Sequence, residues 1–152
     1  DTPISFSDLL PTIIDLAGNK KLKNSELDGG SFKDIINNKS DSVNRKSKGL
    51  FFHVPYENKI ALQRAHSAVI IDSLKLIKYH DNNELNLYDI KNDLSESIDL
   101  SNIEIEGKPV NTKITRRLEK MLDDYLTNVQ APKWKPGITW KQKPLRIINS
   151  YH

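Results

Sequence analysis

Residues 66–90, HSAVIIDSLKLIKYHDNNELNLYDI, decide the fold of this chain. Two runs rich in β-branched and aromatic residues flank the pair Asp72-Ser73, which is typical of a hairpin turn. The polar residues 81–83 separate the second run from a third strand, ELNLYDI. Upstream, GLFFHVPYE at 49–57 predicts one more strand. Four strands joined by short turns indicate an antiparallel sheet with one face to be covered.

A long helix that follows the strands supplies a cover for this sheet. Residues from about 112 to 130 carry apolar side chains at helical spacing, while charged side chains fill the other face. Asn111 or Thr112 is placed to cap this helix, and Pro132 closes it. The apolar positions are Ile114, Leu118, Met121, Leu122, Tyr125, Leu126 and Val129. The predicted fold class is therefore α+β, with a small four-stranded antiparallel sheet packed by a long C-terminal helix.

The first eighteen residues, DTPISFSDLLPTIIDLAG, predict a short amphipathic helix. Asp8 is a possible N-cap, Pro11 falls in the first turn, and Gly18 offers a left-handed stop. A helix of about ten residues is marginal alone in water, so its broad apolar face must be buried. The partner surface comes either from the rest of the chain or from a part of the protein outside these residues.

Composition fits one ordinary domain. The chain has 152 residues, of which 37% are hydrophobic and 28% charged, which is typical of a globular domain with a modest core. The sequence contains no apolar run long enough to span a bilayer. It contains no cysteine, which excludes disulfides, thiolate metal sites and a cysteine nucleophile within these residues.

Sequence motifs for catalysis are absent from these residues. There is no GxGxxG, P-loop, GxSxG or HExxH, and the four histidines do not pair at metal-ligand spacing. Residues 88–100, YDIKNDLSESIDL, are rich in Asp and Asn but lack the ligand spacing and central Gly of an EF-hand. We interpret them as a turn network in which side chains bond backbone amides. No metal ligands and no catalytic residues are assigned.

Five blocks, in order, resemble one family. TPISFSDLLPTIIDLAG, LDGGSF, LFFHVP, HSAVIIDSLKLIKY and ELNLYDIKNDLSESIDL, with the closing helix, are similar to the C-terminal part of type I sulfatases. These are formylglycine-dependent enzymes of the alkaline phosphatase superfamily. The resemblance extends from Asp1 to about Val129. It departs at two turns, where Leu94 replaces the usual Pro and Ser73-Leu74 follow Asp72 in place of a Gly-Asp-aromatic turn.

The resemblance implies a division of the chain. Residues 1–18 would be the terminal helix of a large N-terminal α/β sulfatase domain, 19–48 a polar connecting segment, 49–131 the C-terminal subdomain, and 132–152 a basic tail with Pro and Trp. The C/S-x-P-x-R nucleophile motif of the family is absent from these residues. Calcium and the formylglycine nucleophile are implied in an N-terminal catalytic domain, which would be the partner of this segment. The segment alone is expected to be inert, whether it is a fragment, a nicked half or the product of a split gene.

The same resemblance indicates where a substrate would be contacted. The C-terminal subdomain of such enzymes borders the mouth of the active-site cleft. By position, the candidates are His53 and Tyr56 after the first strand, and Arg64 and His66 before the second. The planar guanidinium of Arg64 suits a further sulfate or a carboxylate of a sulfated carbohydrate. A periplasmic or secreted location follows from the resemblance.

Two alternatives remain open. The tail from residue 132 carries five Lys or Arg and no acid, interleaved with Trp134, Trp140 and Tyr151. Such a segment is typical of a non-catalytic module that binds a sulfated polysaccharide or another polyanion, although a nucleic acid partner and a membrane span are not expected. In the second alternative, the protein belongs to the same superfamily but hydrolyses a different ester, as phosphodiesterases or phosphonate hydrolases do.

Overall fold

The computed structural model describes residues 2–18, 27–57, 64–105, 108–109 and 112–135. Its regular elements follow in chain order, with 3₁₀ turns at Phe6–Asp8 and Leu100–Asn102. They are α1 (Leu9–Leu16), α2 (Lys33–Ile36), β1 (Leu50–Val54), β2 (His66–Ile71), β3 (Leu74–Tyr79), β4 (Leu85–Asp89), β5 (Glu104–Ile105), β6 (Lys108–Pro109) and α3 (Thr112–Asn128). Within these residues, no helix is both long and apolar enough to cross a membrane.

The strands β1 to β4 form one antiparallel sheet in the order of the sequence. The turn between β2 and β3 occupies Asp72-Ser73, as predicted, and Asp72 adopts a φ of 54° in the left-handed region. Asp and Asn tolerate that region better than other non-glycine residues, which fits a two-residue hairpin. The predicted α+β class with a four-stranded sheet is confirmed.

The helix α3 packs on one face of the sheet, as its apolar spacing predicts. Leu118 and Leu122 are buried against Val69 on β2, Leu76 on β3 and Leu87 on β4. The rings of Phe51 on β1 and Tyr125 on α3 stack with centroids 3.9 Å apart. These contacts fix the end of α3 beside the outer strand β1. Asn111, one of the two predicted caps of the helix, lies outside the described residues.

The polar segment that follows β4 is a turn network, in agreement with the interpretation of residues 88–100. Asp93 accepts hydrogen bonds from the hydroxyls of Ser95 and Ser97 and from the amide of Ile98. Asp99 accepts from the backbone amide of Leu87 on β4 at 2.9 Å. The carboxylates of this segment are therefore engaged by backbone and side-chain donors, which ties it to the edge of the sheet.

The N-terminal region is organised by a buried carboxylate. The side chain of Asp8 is fully buried and accepts from the guanidinium of Arg45 at 2.6 and 2.9 Å. It also accepts from the backbone amides of Gly30 and Ser5. A Cβ atom on Gly29 would meet the carbonyl oxygen of Ser7 at 2.0 Å, so glycine is required for this close approach. Residues 28–45, which belong to the predicted polar connecting segment 19–48, thus fold back onto the first helix.

The predicted N-cap role of Asp8 is wrong. Asp8 immediately precedes α1, but its side chain makes no capping hydrogen bond to the helix. Instead Ser5 caps the preceding 3₁₀ turn, and the Asp8 carboxylate is turned toward Arg45 and Gly30. A charge-assisted, bidentate pair in a buried site is stronger than a cap, which accounts for the difference. Gly18 ends the helix with a φ of 68°, as predicted.

The apolar face of α1 is largely uncovered in the described residues. Ile13 is 60% exposed, Leu16 54% and Leu10 52%, and the adjacent Phe6 is 90% exposed. The expectation that this face needs a partner surface therefore agrees with its exposure. The α2 turn packs beside α1 without covering these side chains.

Replacement of Asp8 by Asn is expected to reduce the free energy of unfolding by about 3–5 kcal/mol, because it leaves the Arg45 charge buried without a partner. Burial opposes ionisation of Asp8, but the bonds from Arg45, Gly30 and Ser5 outweigh it and lower the pKa of Asp8 below its ordinary value. This stabilisation is therefore present above the unfolded pKa of about 3.9 and is lost as the pH falls through the folded value. Urea unfolding at pH 7 and pH 3 measures both effects.

The exposed Asp34→Asn on α2 is the matched control for this substitution and is expected to change stability by less than about 0.5 kcal/mol. A loss below about 1 kcal/mol for Asp8→Asn at pH 7 would contradict the structural role of the pair.

Candidate functional site

The pairing register divides the candidate residues between the two faces of the sheet. His53 pairs with Ser67 and Ser67 pairs with Lys78, so all three lie on the face that α3 covers. His66 is the residue before Ser67 in β2, so its side chain lies on the opposite face of the sheet. Sequence reasoning grouped His53 with His66 because both lie near strand ends, and it did not use the register.

A chain of hydrogen bonds joins His53 to a second histidine. The hydroxyl oxygen of Ser67 lies 2.7 Å from Nδ1 of His53 and 2.8 Å from Nε2 of His80. The other ring nitrogen of His53, Nε2, lies 2.7 Å from the carbonyl oxygen of Pro132. Ser67 is fully buried, and the two imidazole rings meet edge to face with centroids 5.5 Å apart. The chain therefore connects the β3 end to the segment beyond α3.

A pocket of about 430 Å³ opens beside this chain. It lies between the end of α3, the outer strand β1 and residues 131–134. Its wall combines imidazole, carboxylate, amide, ammonium and indole groups. They belong to His53, His80, Asp123, Gln130, Lys133 and Trp134. The pocket thus offers hydrogen-bonding groups of both kinds and one large aromatic surface, which is typical of sites for polar organic ligands.

The carboxylate in the pocket is neutralised from the sheet. Nζ of Lys78 lies 2.8 Å from a carboxylate oxygen of Asp123 and 3.0 Å from one of Glu119. Burial opposes the charge of Lys78, but these two carboxylates outweigh it and raise the pKa of Lys78. Lys133, in contrast, is exposed at the rim. The pocket therefore presents one exposed cation together with a paired carboxylate.

Trp134 carries an unpaired polar atom. Its Nε1 is buried and makes no hydrogen bond to any residue that the structure describes. Most buried N–H groups in proteins are paired, so this donor needs a specific explanation. The indole belongs to the wall of the pocket, where a bound acceptor group would satisfy it.

Arg64 is engaged by its own neighbours. Its guanidinium donates to the Asp81 carboxylate at 2.7 and 2.9 Å and to Glu84 at 3.1 Å. It also donates to the side-chain oxygen of Asn82 and stacks over the ring of Tyr79 at 3.9 Å. The hydrogen bonds that Arg64 donates to Asp81 and Glu84 raise the pKa of Arg64, and those that Asp81 accepts lower the pKa of Asp81. The guanidinium thus closes the β3–β4 turn.

His66 and Tyr56 lie away from the pocket wall. Nδ1 of His66 donates to the carbonyl oxygen of Arg64 at 2.7 Å, and its ring lies 6.3 Å from that of Tyr79. Tyr56 follows β1 and is half-buried. The structure therefore brings Arg64 and His66 together on one face, and His53 together with His80 on the other. Among the described residues, no three His, Asp or Glu side chains come together to hold a metal ion.

Of the residues that line the pocket, only His53 is among the predicted site residues. His80 had no predicted role, and Lys133 and Trp134 belong to the predicted basic tail. The strand registers were the available signal: the β1–β2 pairing places Ser67 opposite His53, and the β2–β3 hairpin places Ser67 near the residue that follows β3.

A family model supports the resemblance seen in the sequence. Residues 3–128 match the model described as N-sulphoglucosamine sulphohydrolase, C-terminal. The chain belongs to this family. The predicted resemblance to the C-terminal region of sulfatases is therefore confirmed, and the match covers the two helical regions and the whole sheet.

Solved structures give the same result. A 2-O GAG sulfatase is 25% identical over 82% of this chain and 25% of its own, with a TM-score of 0.61. A protein from Bacteroides thetaiotaomicron assigned to the sulfatases is 25% identical over 85% of this chain and 27% of its own, also with a TM-score of 0.61. A third protein, solved in complex with its substrate D-glucosamine-2-N,6-O-disulfate, is 24% identical over 81% of this chain and 24% of its own chain, with a TM-score of 0.55.

This sulfatase C-terminal region spans about a quarter of the length of the solved structures that it matches. No curated protein matches the chain. The activity and substrates of the whole protein are therefore matters for proposal.

The stability of the sulfatase C-terminal region is expected to fall as the pH drops below about 6.5, the ordinary pKa of histidine. Burial, together with the nearby His53, Lys78 and His66, lowers the pKa of His80, and Asp123 opposes this only in part. The neutral form is thus favoured by folding, and its contribution is present above the unfolded pKa and lost as the pH falls through the folded value. Urea unfolding of the wild type at pH 7.5 and 5.5 measures the loss.

His80→Gln removes the titrating group and keeps an amide in its place, so its unfolding free energy should change less between these two pH values. An equal change in the wild type and His80→Gln would show that His80 is not the responsible group.

Proposed function

We propose that this chain is the C-terminal part of a sulfatase that hydrolyses sulfate esters of a sulfated carbohydrate. In this proposal it forms one wall of the cleft that holds the glycan. The observation that carries the proposal is the family match over residues 3–128. The names of two similar structures, a GAG sulfatase and a complex with a disulfated glucosamine, support a sulfated sugar as the substrate class.

The exposed face of α1 supports a catalytic domain as its partner. Leu10, Ile13 and Leu16 are each more than half exposed in a helix whose isolated form is marginal. Covering apolar surface contributes roughly 25 cal/mol per Å², so a packed partner stabilises both surfaces. We propose that a sulfatase catalytic domain covers this face. That domain would supply the formylglycine nucleophile and calcium that attack and polarise the sulfate ester.

The pocket beside His53 has the chemistry that an anionic sugar requires. The exposed ammonium of Lys133 attracts a sulfate or carboxylate, and the Trp134 indole offers a flat apolar surface and a buried N–H donor. Asp123 adds little repulsion toward an anion because Lys78 pairs with it. A volume of about 430 Å³ accommodates a group larger than a single sulfate.

Of the four residues predicted to contact substrate, His53 has the best placement for this role. It lines the pocket, whereas the donors of Arg64 are taken up by Asp81, Glu84 and Asn82. Binding of a further sulfate by Arg64 would require it to exchange these partners.

Both ring nitrogens of His53 are also bonded, to Ser67 and to the Pro132 carbonyl. We therefore propose that His53 contacts the glycan through the surface of its ring, while Lys133 and Trp134 supply the cation and the N–H donor.

A second candidate function is a non-catalytic module that binds a polyanion. Lys133 and Lys135 flank Trp134 within the described residues, and no acid interrupts them. Most of the basic tail, from residue 136 onward, lies outside the described residues. Sulfate release separates the two functions, since a binding module would retain the glycan without hydrolysing it and would lose affinity steeply with salt.

Lys133→Ala and Trp134→Ala are each expected to raise the KM of the full-length protein for a sulfated disaccharide about tenfold, with kcat nearly unchanged. Such contacts are made in both the ground state and the transition state, and losing about 1.4 kcal/mol of binding corresponds to a factor of ten. Initial rates of sulfate release measure both constants. Lys135→Ala is the matched control, because it removes an equal charge one residue beyond the pocket wall.

An aryl sulfate without a sugar provides a second control, and its hydrolysis should be the same in all three variants. Sulfate release that is unaffected by Lys133→Ala and Trp134→Ala would refute the pocket as a glycan site. Salt-dependent binding of the disaccharide without any sulfate release would favour the non-catalytic module instead.

A further inference from the structure

When both imidazole rings are neutral, the hydrogen bonds that meet at Ser67 have only one consistent direction. The carbonyl oxygen of Pro132 accepts only, so the Nε2 atom of His53 must carry the proton that joins them. In a neutral imidazole, Nδ1 is then an acceptor, and the Ser67 hydroxyl must donate to it. The Ser67 oxygen in turn accepts from Nε2–H of His80. Each group in the chain is thus matched when both rings are neutral.

We propose that Ser67 and His80 are positioning residues that fix the tautomer of His53 and so hold residues 131–135 against the outer strand. Their effect passes through His53 to the carbonyl of Pro132, and neither residue needs to touch a ligand. Second partners of this kind commonly determine which nitrogen of a histidine carries the proton.

Burial makes this arrangement specific. Ser67 is fully buried, so water does not replace its hydroxyl at Nδ1 of His53. Without that donor, only the Pro132 carbonyl still disfavours the tautomer of His53 with the proton on Nδ1. In that tautomer Nε2 faces the Pro132 carbonyl as a second acceptor, and the 2.7 Å contact becomes repulsive.

Among the described residues, one hydrogen bond joins the segment beyond α3 to the sheet. Within the described residues, residues 132–135 make this one hydrogen bond, from His53 to the Pro132 carbonyl. The amide of Ala131 still donates to the carbonyl of Leu126, in the last turn of the helix. The low pKa of His80 keeps its ring neutral near pH 7, as the chain of donors requires. Lys78, Asp123 and His66 are the other ionisable groups that act on it.

The consequence for ligand binding rests on the proposed function. Residues 133 and 134 carry the ammonium and indole that we assign to the glycan. Ser67 and His80 would therefore determine whether these two groups point into the pocket in a fixed arrangement. The attachment of the segment itself is independent of any ligand.

Ser67→Ala tests the proposal most directly. Selective ¹⁵N labelling of histidine should show the Nε2–H tautomer of His53 in the wild type and a mixture of tautomers in the variant. Hydrogen exchange followed by mass spectrometry should show a loss of protection of about tenfold at the amide of Ala131, which bonds to the carbonyl of Leu126 at the start of this segment. Unchanged tautomer and unchanged protection would overturn the proposal.

Two substitutions of His80 keep the test decisive if Ser67→Ala disturbs packing. His80→Gln places an amide donor near the position of Nε2 and should preserve the tautomer and the protection, whereas His80→Leu should lose both. Equal behaviour of Gln and Leu would overturn the proposal, because packing alone would then explain the effect. His66→Gln, on the opposite face of the sheet, is the matched control and should behave as the wild type.

Affinity for the sulfated disaccharide tests the glycan contacts separately from the attachment of residues 131–135. A parallel loss of protection and affinity in Ser67→Ala supports both the attachment and the glycan site. Loss of protection with unchanged affinity supports the attachment and refutes the proposed glycan contacts.

Discussion

The antiparallel register of β1, β2 and β3 is the constraint on which the rest of the structure depends. Successive residues of a strand point to opposite faces, so a shift of one residue would exchange the two faces. The observed register places His53 and Ser67 under the end of α3 and places His66 on the other side. The polar pocket therefore exists because the same pairing that buries Val69 and Leu76 under α3 also aligns His53 with Ser67.

Two regions of this chain use buried polar groups in different ways. Asp8 and Arg45 form an ion pair that folds a polar loop back onto α1 and leaves the apolar side of that helix exposed. His53, Ser67 and His80 form a chain of hydrogen bonds that reaches the Pro132 carbonyl in the segment after α3. In the proposed function, the first arrangement leaves an apolar surface for a catalytic domain to cover, and the second holds one wall of the glycan pocket.

Local pattern predicted most of the fold and little of the site. The period-two strands, the Asp72-Ser73 turn and the long helix follow from propensity and spacing, which act between near neighbours. The partner of Asp8 could not be predicted, because Arg45 is 37 residues away and only tertiary packing joins them. The same holds for His53 and Pro132, which are 79 residues apart. Family resemblance supplied the sulfatase assignment, but it did not show that Arg64 is paired with Asp81.

The most direct measurement is a crystal structure of the full-length protein with a sulfated disaccharide bound. A sugar in contact with Trp134 and Lys133, with its sulfate directed into the catalytic domain and α1 covered by that domain, is the expected result. A sugar held wholly by the catalytic domain, with the pocket beside His53 filled by water, would contradict the role proposed for this chain.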